Sequence, residues 1–229
     1  MDNRQFRIIA HRGASAYEPE NTLLAFKRAI DMKADMIELD VRMSRDGYLV
    51  VIHDSKVDRT TNGYGSVKEK TLYELKKLDA GKGEKIPTLE EVIEFAKGKT
   101  KFVVELKERG TEEKTLEIIG KHNLLEDVFI VSFQKNIIKR IKEIEPAVKT
   151  GLIVFFPLNP IKKGKEVFAD AIAPFRLFVT KRLAEKVRKT GLFLFTWTVD
   201  NPLEAQNLMQ IGIDGIVTNK PDIMTALNQ

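Results

Sequence analysis

The chain has 229 residues, 43% hydrophobic and 31% charged, with a formal net charge of +5 and no cysteine. That length suits one core-bearing domain near the size of an α/β barrel, and the missing cysteine excludes disulfides and thiolate metal centres. The lysines are interleaved with glutamates and form no basic stripe, which argues against nucleic acid; no run approaches 18 apolar residues and MDNRQFRIIAHRG lacks a signal-peptide core, so a cytoplasmic protein without stable membrane insertion is expected.

In chain order, short apolar runs predict strands over 6–10, 36–41, 101–107, 128–132, 149–154, 170–173, 193–199 and 215–218. Amphipathic spacing predicts helices over 22–33, 89–97, 111–121, 135–144, 160–168, 180–190, 202–210 and 221–227. Asn21 or Thr22 caps the first helix. Thr88 followed by Glu91 reads as a capping box, and Asn201-Pro202 as an N-cap with proline at the first helical position. Eight strands, nearly all followed by a helix, predict a (β/α)8 TIM-type barrel in one domain; an open doubly wound sheet is the alternative. After the second strand, Asp46-Gly47 signals a hairpin returning through 49–52. A two-residue turn there sets Arg45 opposite Tyr48 and Asp40 opposite His53, placing Glu38, Asp40 and His53 on one face. Residues 54–86 then read as a small polar insertion with a short helix near 71–78, beside the barrel mouth.

The polar residues at the strand ends carry the chemistry. Glu38 and Asp40 lie two apart on one strand, and Glu105 on the next barrel strand supplies a third carboxylate. Such an oxygen-only set suits a hard divalent cation; a salt-bridged network with Lys107 or Arg12 is the alternative. His11 and His53, each structural if taken alone, together suggest a general base and a general acid. Arg12 and Lys107 can neutralise a phosphoryl group. Trp197, the only tryptophan, packs in the core or walls the pocket against an apolar part of a ligand. His122 reads as a surface residue on a polar helix without a partner.

The motifs HRGASAYEPENT, IELDVRMSRDG, VVIHD, VVELK, FTWTVDNP and GIDGIVTNKPD, in this order from residue 8 to 222, resemble the glycerophosphodiester phosphodiesterase family. The resemblance implies a TIM-type barrel that hydrolyses glycerophosphodiesters to glycerol 3-phosphate and an alcohol. It implies His11 and His53 as the acid–base pair and Glu38, Asp40 and Glu105 as ligands of one divalent cation, Mg²⁺ foremost, with Ca²⁺ or Mn²⁺ as alternatives. Arg12 and Lys107 match phosphate-contacting positions, Trp197 a pocket-wall aromatic and Asn21 the asparagine of the PENT segment. Departures are Ser44 where threonine is common, and Met32-Lys33 where a glycine often precedes Ala-Asp. The implied partner is a small-molecule glycerophosphodiester. Rival readings are a lysophospholipase D-type or inositol-lipid phosphodiesterase on the same scaffold, for which the apolar run over 151–158 would be a contact surface, and a non-catalytic binding module.

Overall fold

The computed structural model describes residues 6–156 and 158–226. Its strands are β1 (Arg7–Ala10), β2 (Met36–Met43), β3 (Leu49–Val51), β4 (Lys101–Leu106), β5 (Val128–Ser132), β6 (Lys149–Val154), β7 (Ala171–Pro174), β8 (Phe193–Thr196) and β9 (Gly215–Thr218). They form one sheet in the order β1-β9-β8-β7-β6-β5-β4-β2-β3, and a β1–β2 pairing closes the ring. All pairings are parallel except β2–β3, so β3 is a hairpin strand appended to an eight-stranded parallel barrel. The crossover helices are α1 (Leu23–Asp31), α3 (Leu89–Ala96), α4 (Glu112–Lys121), α5 (Lys135–Ile144), α6 (Pro160–Glu166), α7 (Lys181–Arg188) and α8 (Pro202–Gln210); α9 (Pro221–Thr225) follows β9. The N-terminal MDNRQ, Pro157 of the apolar run and Leu227 of the last predicted helix lie outside the described residues.

Period-two alternation makes this ring and aims its polar residues. On β2, Ile37, Leu39 and Val41 pack outward under the helices, whereas Met36 joins the inner core with Ile9, Val103, Phe129, Phe195 and Val217. Glu38 and Asp40 share the inward face with Met36. The same count along β4 turns Val104 and Leu106 outward, Val103 and Glu105 inward. The predicted caps form. Thr88 Oγ1 accepts from Glu91 N at 3.1 Å while Glu91 reaches back to Thr88 N, and Asn201 Oδ1 accepts from Leu203 N at 2.9 Å. Thr22, not Asn21, caps α1.

The hairpin register differs from the sequence expectation. Val41 faces Val51 and Met43 faces Leu49, so Asp40 stands opposite Ile52, not His53. Ser44 N donates to the Tyr48 carbonyl and Gly47 N to the Ser44 carbonyl, leaving three residues in the loop. Gly47 sits at φ +84°, where the αL geometry absorbs the extra residue. Residues 54–86 form the insertion, with α2 (Leu72–Lys77) opened by a Thr71/Glu74 capping box. Val57, Val67, Leu75, Ala80 and Ile86 bury against Val50 and Ile52 as a separate small core.

Candidate active site

The barrel closure and the inward alternation deliver His11, Glu38, Glu105 and Lys107 to one cavity of about 240 Å³ at the C-terminal end of the strands. Arg12 and His53 line it too. Asp40 lies at its edge, and oxygens of Glu38, Asp40 and Glu105 lie within 4.8 Å of one another. His53 reaches the cavity by a bend just beyond β3 rather than through the ladder. Its carbonyl accepts from Arg42 Nε at 2.8 Å, and Arg42 is held in turn by Glu108 at 3.1 Å.

Two residues hold left-handed backbone to make this geometry. Arg12 has φ 55° and Asn21 φ 58°. Asparagine tolerates that region; for arginine it costs about 1–2 kcal/mol. The turn lets Arg12 N donate to Glu38 Oε2 at 2.9 Å while its side chain pairs with Asp40 and Glu20. Gly13, at φ +81°, allows α1 to approach: a Cβ there would meet the Ala25 carbonyl carbon at 2.6 Å. Asn21 Nδ2 donates to Asp40 Oδ2 at 2.8 Å.

The carboxylates carry uneven protons. Burial, with Asp40 and Glu105 nearby, holds the Glu38 carboxyl well above its ordinary range. Burial pushes Glu105 up to about 7 even with Lys107 beside it. Asp40 is also buried, yet Lys107 and Arg12 hold it below the usual value. Lys107 Nζ lies 2.7 Å from Glu105 Oε1 and 3.1 Å from Asp40 Oδ1, so both cations serve as counter-ions here. Asp40 Oδ1 and Arg12 Nε nonetheless lack a partner in hydrogen-bond geometry. Three buried carboxylates, one with an oxygen that no donor meets in hydrogen-bond geometry, fit a hard divalent cation.

Both imidazoles are tied back through Nδ1. His11 Nδ1 is 2.8 Å from Asn219 Oδ1. Asn219 Nδ2 donates to Asp200 Oδ2 at 2.6 Å, and a carboxylate only accepts, so the Asn219 oxygen must face His11. His11 therefore carries its proton on Nδ1 and presents a bare Nε2. Burial, then Arg12, lowers its pKa below 6.5. His53 Nδ1 is 2.6 Å from Asp54 Oδ1. Burial lowers its pKa, while the Asp40 and Asp54 carboxylates oppose that shift. Arg59, from the insertion, pairs with Asp54 at 2.7 Å and Glu20 at 2.7 Å, and Glu20 reaches Arg12. One ion-pair chain thus joins the insertion to the segment after β1. Trp197 Nε1 donates to the Ala173 carbonyl at 2.9 Å, and its ring meets Phe133 edge-on at 5.5 Å as a wall of the cavity.

Seven of the nine site residues singled out in the sequence line this cavity; Asp40 is grouped with Glu38 and Glu105, and Asn21 reaches the site only through its bond to Asp40. Asn219, Asp200, Asp54 and Arg59 were not singled out, although the first three stand inside the quoted motifs. His122 is not a bare surface residue: it caps α4, is largely buried, and its Nε2 lies 3.3 Å from Glu90 Oε1.

Fold and site together define the class, a TIM-type barrel hydrolase acting on phosphate esters. The family model described as "Glycerophosphoryl diester phosphodiesterase family" matches residues 11–223. A glycerophosphodiester phosphodiesterase of Caldanaerobacter subterraneus is 43% identical over 96% of this chain and 96% of its own. One from Bacillus subtilis is 35% identical over 94% of this chain and 84% of its own. Among solved structures, a glycerophosphodiester phosphodiesterase of Agrobacterium tumefaciens superposes with a TM-score of 0.88 at 31% identity, covering 97% of this chain and all of the other. An Oleispira antarctica phosphodiesterase in complex with the product sn-glycerol-3-phosphate superposes at 0.91 with 28% identity, covering 97% of each. The chain belongs to the glycerophosphoryl diester phosphodiesterase family and is a hydrolase of glycerophosphodiesters. Among the described residues, no helix is long and apolar enough to cross a membrane.

Proposed function

We propose that the chain acts in the cytoplasm as one barrel domain. It cleaves glycerophosphodiesters to glycerol 3-phosphate and an alcohol in two steps through a cyclic phosphate, with a divalent cation, Mg²⁺ foremost, held by Glu38, Asp40 and Glu105. The observation that carries this reading is two imidazoles, each with Nδ1 engaged, facing one cavity beside three buried carboxylates. The product named for the Oleispira relative supports glycerol 3-phosphate as the phosphate-bearing product here.

When bound, the cation supplies charge compensation and Lewis acidity toward the phosphoryl oxygens. Arg12 and Lys107 bind the same phosphate, and each is already aimed at the carboxylate group it would share with the ion. His11 is the better base: a neutral amide oxygen orients it, and its lowered pKa leaves Nε2 free to accept a proton at neutral pH. His53 is the better acid, because the Asp54 carboxylate stabilises the imidazolium. His11 Nε2 takes the proton of the glycerol 2-hydroxyl as that oxygen attacks phosphorus. The bond from phosphorus to the alcohol breaks, and His53 protonates the departing oxygen. Water then opens the cyclic phosphate with the two histidines in exchanged roles. Asn219 and Asp200 hold His11 in the reactive tautomer, Asn21 positions Asp40, and Trp197 walls the glycerol or head-group side. A panel of glycerophosphodiesters and lysophospholipids, each assayed with Mg²⁺, Mn²⁺ and Ca²⁺, tests the reading. Turnover of soluble diesters dependent on one of these ions supports it, and turnover of none of them sinks it.

A further inference from the structure

The mouth is asymmetric. Acids crowd its β1–β4 side, whereas the loops after β6 and β7 are apolar and basic. Phe156, Leu158 and Leu177 are 64%, 76% and 68% exposed. They continue a run of rings: Phe156 lies 5.8 Å from Phe178, Phe155 stacks on Phe175 at 5.1 Å, and Phe175 meets Trp197 at 5.3 Å. Lys162 lies in the first turn of α6 with Lys163 directly after it, and Lys181 and Arg182 open α7. Neither 155–165 nor 175–184 contains an acidic residue. Arg176 is compensated by Glu204 at 2.6 Å.

The fold does not require this arrangement. Cations at the start of α7 oppose the helix dipole, and α3, α4 and α8 carry acids in the first turn instead. Large exposed apolar side chains in a cluster gain nothing from water. Loops after barrel strands share one face, so the apolar tips and the four cations form one lip beside the cavity. An isologous contact with a second copy would set these cations against their own kind. A layer with apolar chains beneath anionic head groups satisfies both features at once: the rings and leucines enter the interface while the cations meet phosphates.

We propose that this lip is a peripheral docking surface for an anionic lipid bilayer, holding the cavity mouth at the head-group level. The test is co-sedimentation of the full chain with vesicles of equimolar phosphatidylglycerol and phosphatidylcholine, against pure phosphatidylcholine, at about 0.1 M salt. Wild-type protein should favour the anionic vesicles by roughly tenfold or more. Phe156→Ser with Leu177→Ser, and separately Lys181→Glu with Arg182→Glu, should each lower binding by roughly tenfold or more. Turnover of a soluble glycerophosphodiester should stay unchanged, because none of the four residues lines the cavity. Wild-type protein that ignores anionic vesicles, or binding indifferent to both double variants, overturns the proposal. So does a dimer abolished by the serine pair in protein that binds no vesicles. Failure of every form to turn over soluble diesters would strike the catalytic reading instead and leave the vesicle result intact.

Discussion

Asp200→Asn removes one charge, keeps the shape and should silence His11 from two residues away. Asp200 Oδ1 accepts from Asn219 N at 2.7 Å and Thr218 Oγ1 at 2.9 Å, and Oδ2 accepts from Asn219 Nδ2 at 2.6 Å. An amide cannot accept at both ends, so one donor of Asn219 must face another donor. The backbone N–H is fixed, but the Asn219 side chain can rotate, turning its Nδ2 toward His11. Leaving two donors face to face costs about 1–3 kcal/mol, which biases the flip by roughly 5- to 150-fold. The flipped amide requires His11 Nδ1 to accept, which moves the ring proton to Nε2 and removes the base. We expect kcat/KM for an ordinary glycerophosphodiester to fall about 10²-fold, within the range for lost acid–base catalysis, with an unchanged circular dichroism spectrum. Imidazole ¹⁵N shifts should report the tautomer exchange in the same sample. Wild-type kcat/KM with the proton still on Nδ1 would refute the reasoning, as would a large fall in rate without the exchange.

His53→Ala should lower kcat by roughly 10²-fold or more for an ordinary alcohol diester, and a nitrophenol leaving group should recover most of that loss; equal deficits on both substrates would remove His53 from the acid role. Chelation should abolish turnover, and Mg²⁺, Mn²⁺ or Ca²⁺ should restore it; a fully active metal-free protein would discard the cation. In that metal-free protein Glu105 titrates at about 7, above its ordinary 4.5. At this site the folded state then binds more protons than the unfolded one between those values, so the Tm of the wild type relative to Glu105→Gln should fall as pH rises from about 4.5 to 7, and a divalent ion should flatten the fall; a difference that rises over this window contradicts the assignment. Lys33 holds φ 61° just after α1, so Lys33→Gly should stabilise the protein by about 1 kcal/mol in urea titration; a loss of stability would refute the strain.

The parts of the site set by alternation within a strand were legible from residues alone. Ile37, Leu39 and Val41 are apolar and Glu38 and Asp40 are not, which allows one inward face, and the same holds along β4. The hairpin was less legible because Asp-Gly serves both two- and three-residue loops, and the αL Gly47 chose the longer one. His53 reached its place because the chain bends after β3, a turn that no ladder count contains. Asn219 stands 208 residues from His11, and only closure of the ring, with Ala10 beside Thr218, brings them together. Arg59 is one of many basic residues on a polar insertion, and nothing local distinguishes it. Lys33 is the converse case: the missing glycine was visible in the sequence, and the αL turn explains why a glycine is common there.

The two-step reaction is the central claim, and phosphorus NMR tests it most directly. The substrate is a glycerophosphodiester, compared with its analogue lacking the glycerol 2-hydroxyl, in the presence of Mg²⁺. A neighbouring hydroxyl can reach effective molarities of about 10⁵ M or more. The account predicts a transient cyclic phosphate followed by glycerol 3-phosphate from the first, and turnover slower by several orders of magnitude with no cyclic species from the second. Equal rates on both, with no cyclic signal from either, would mean that water attacks the diester directly and would contradict the mechanism.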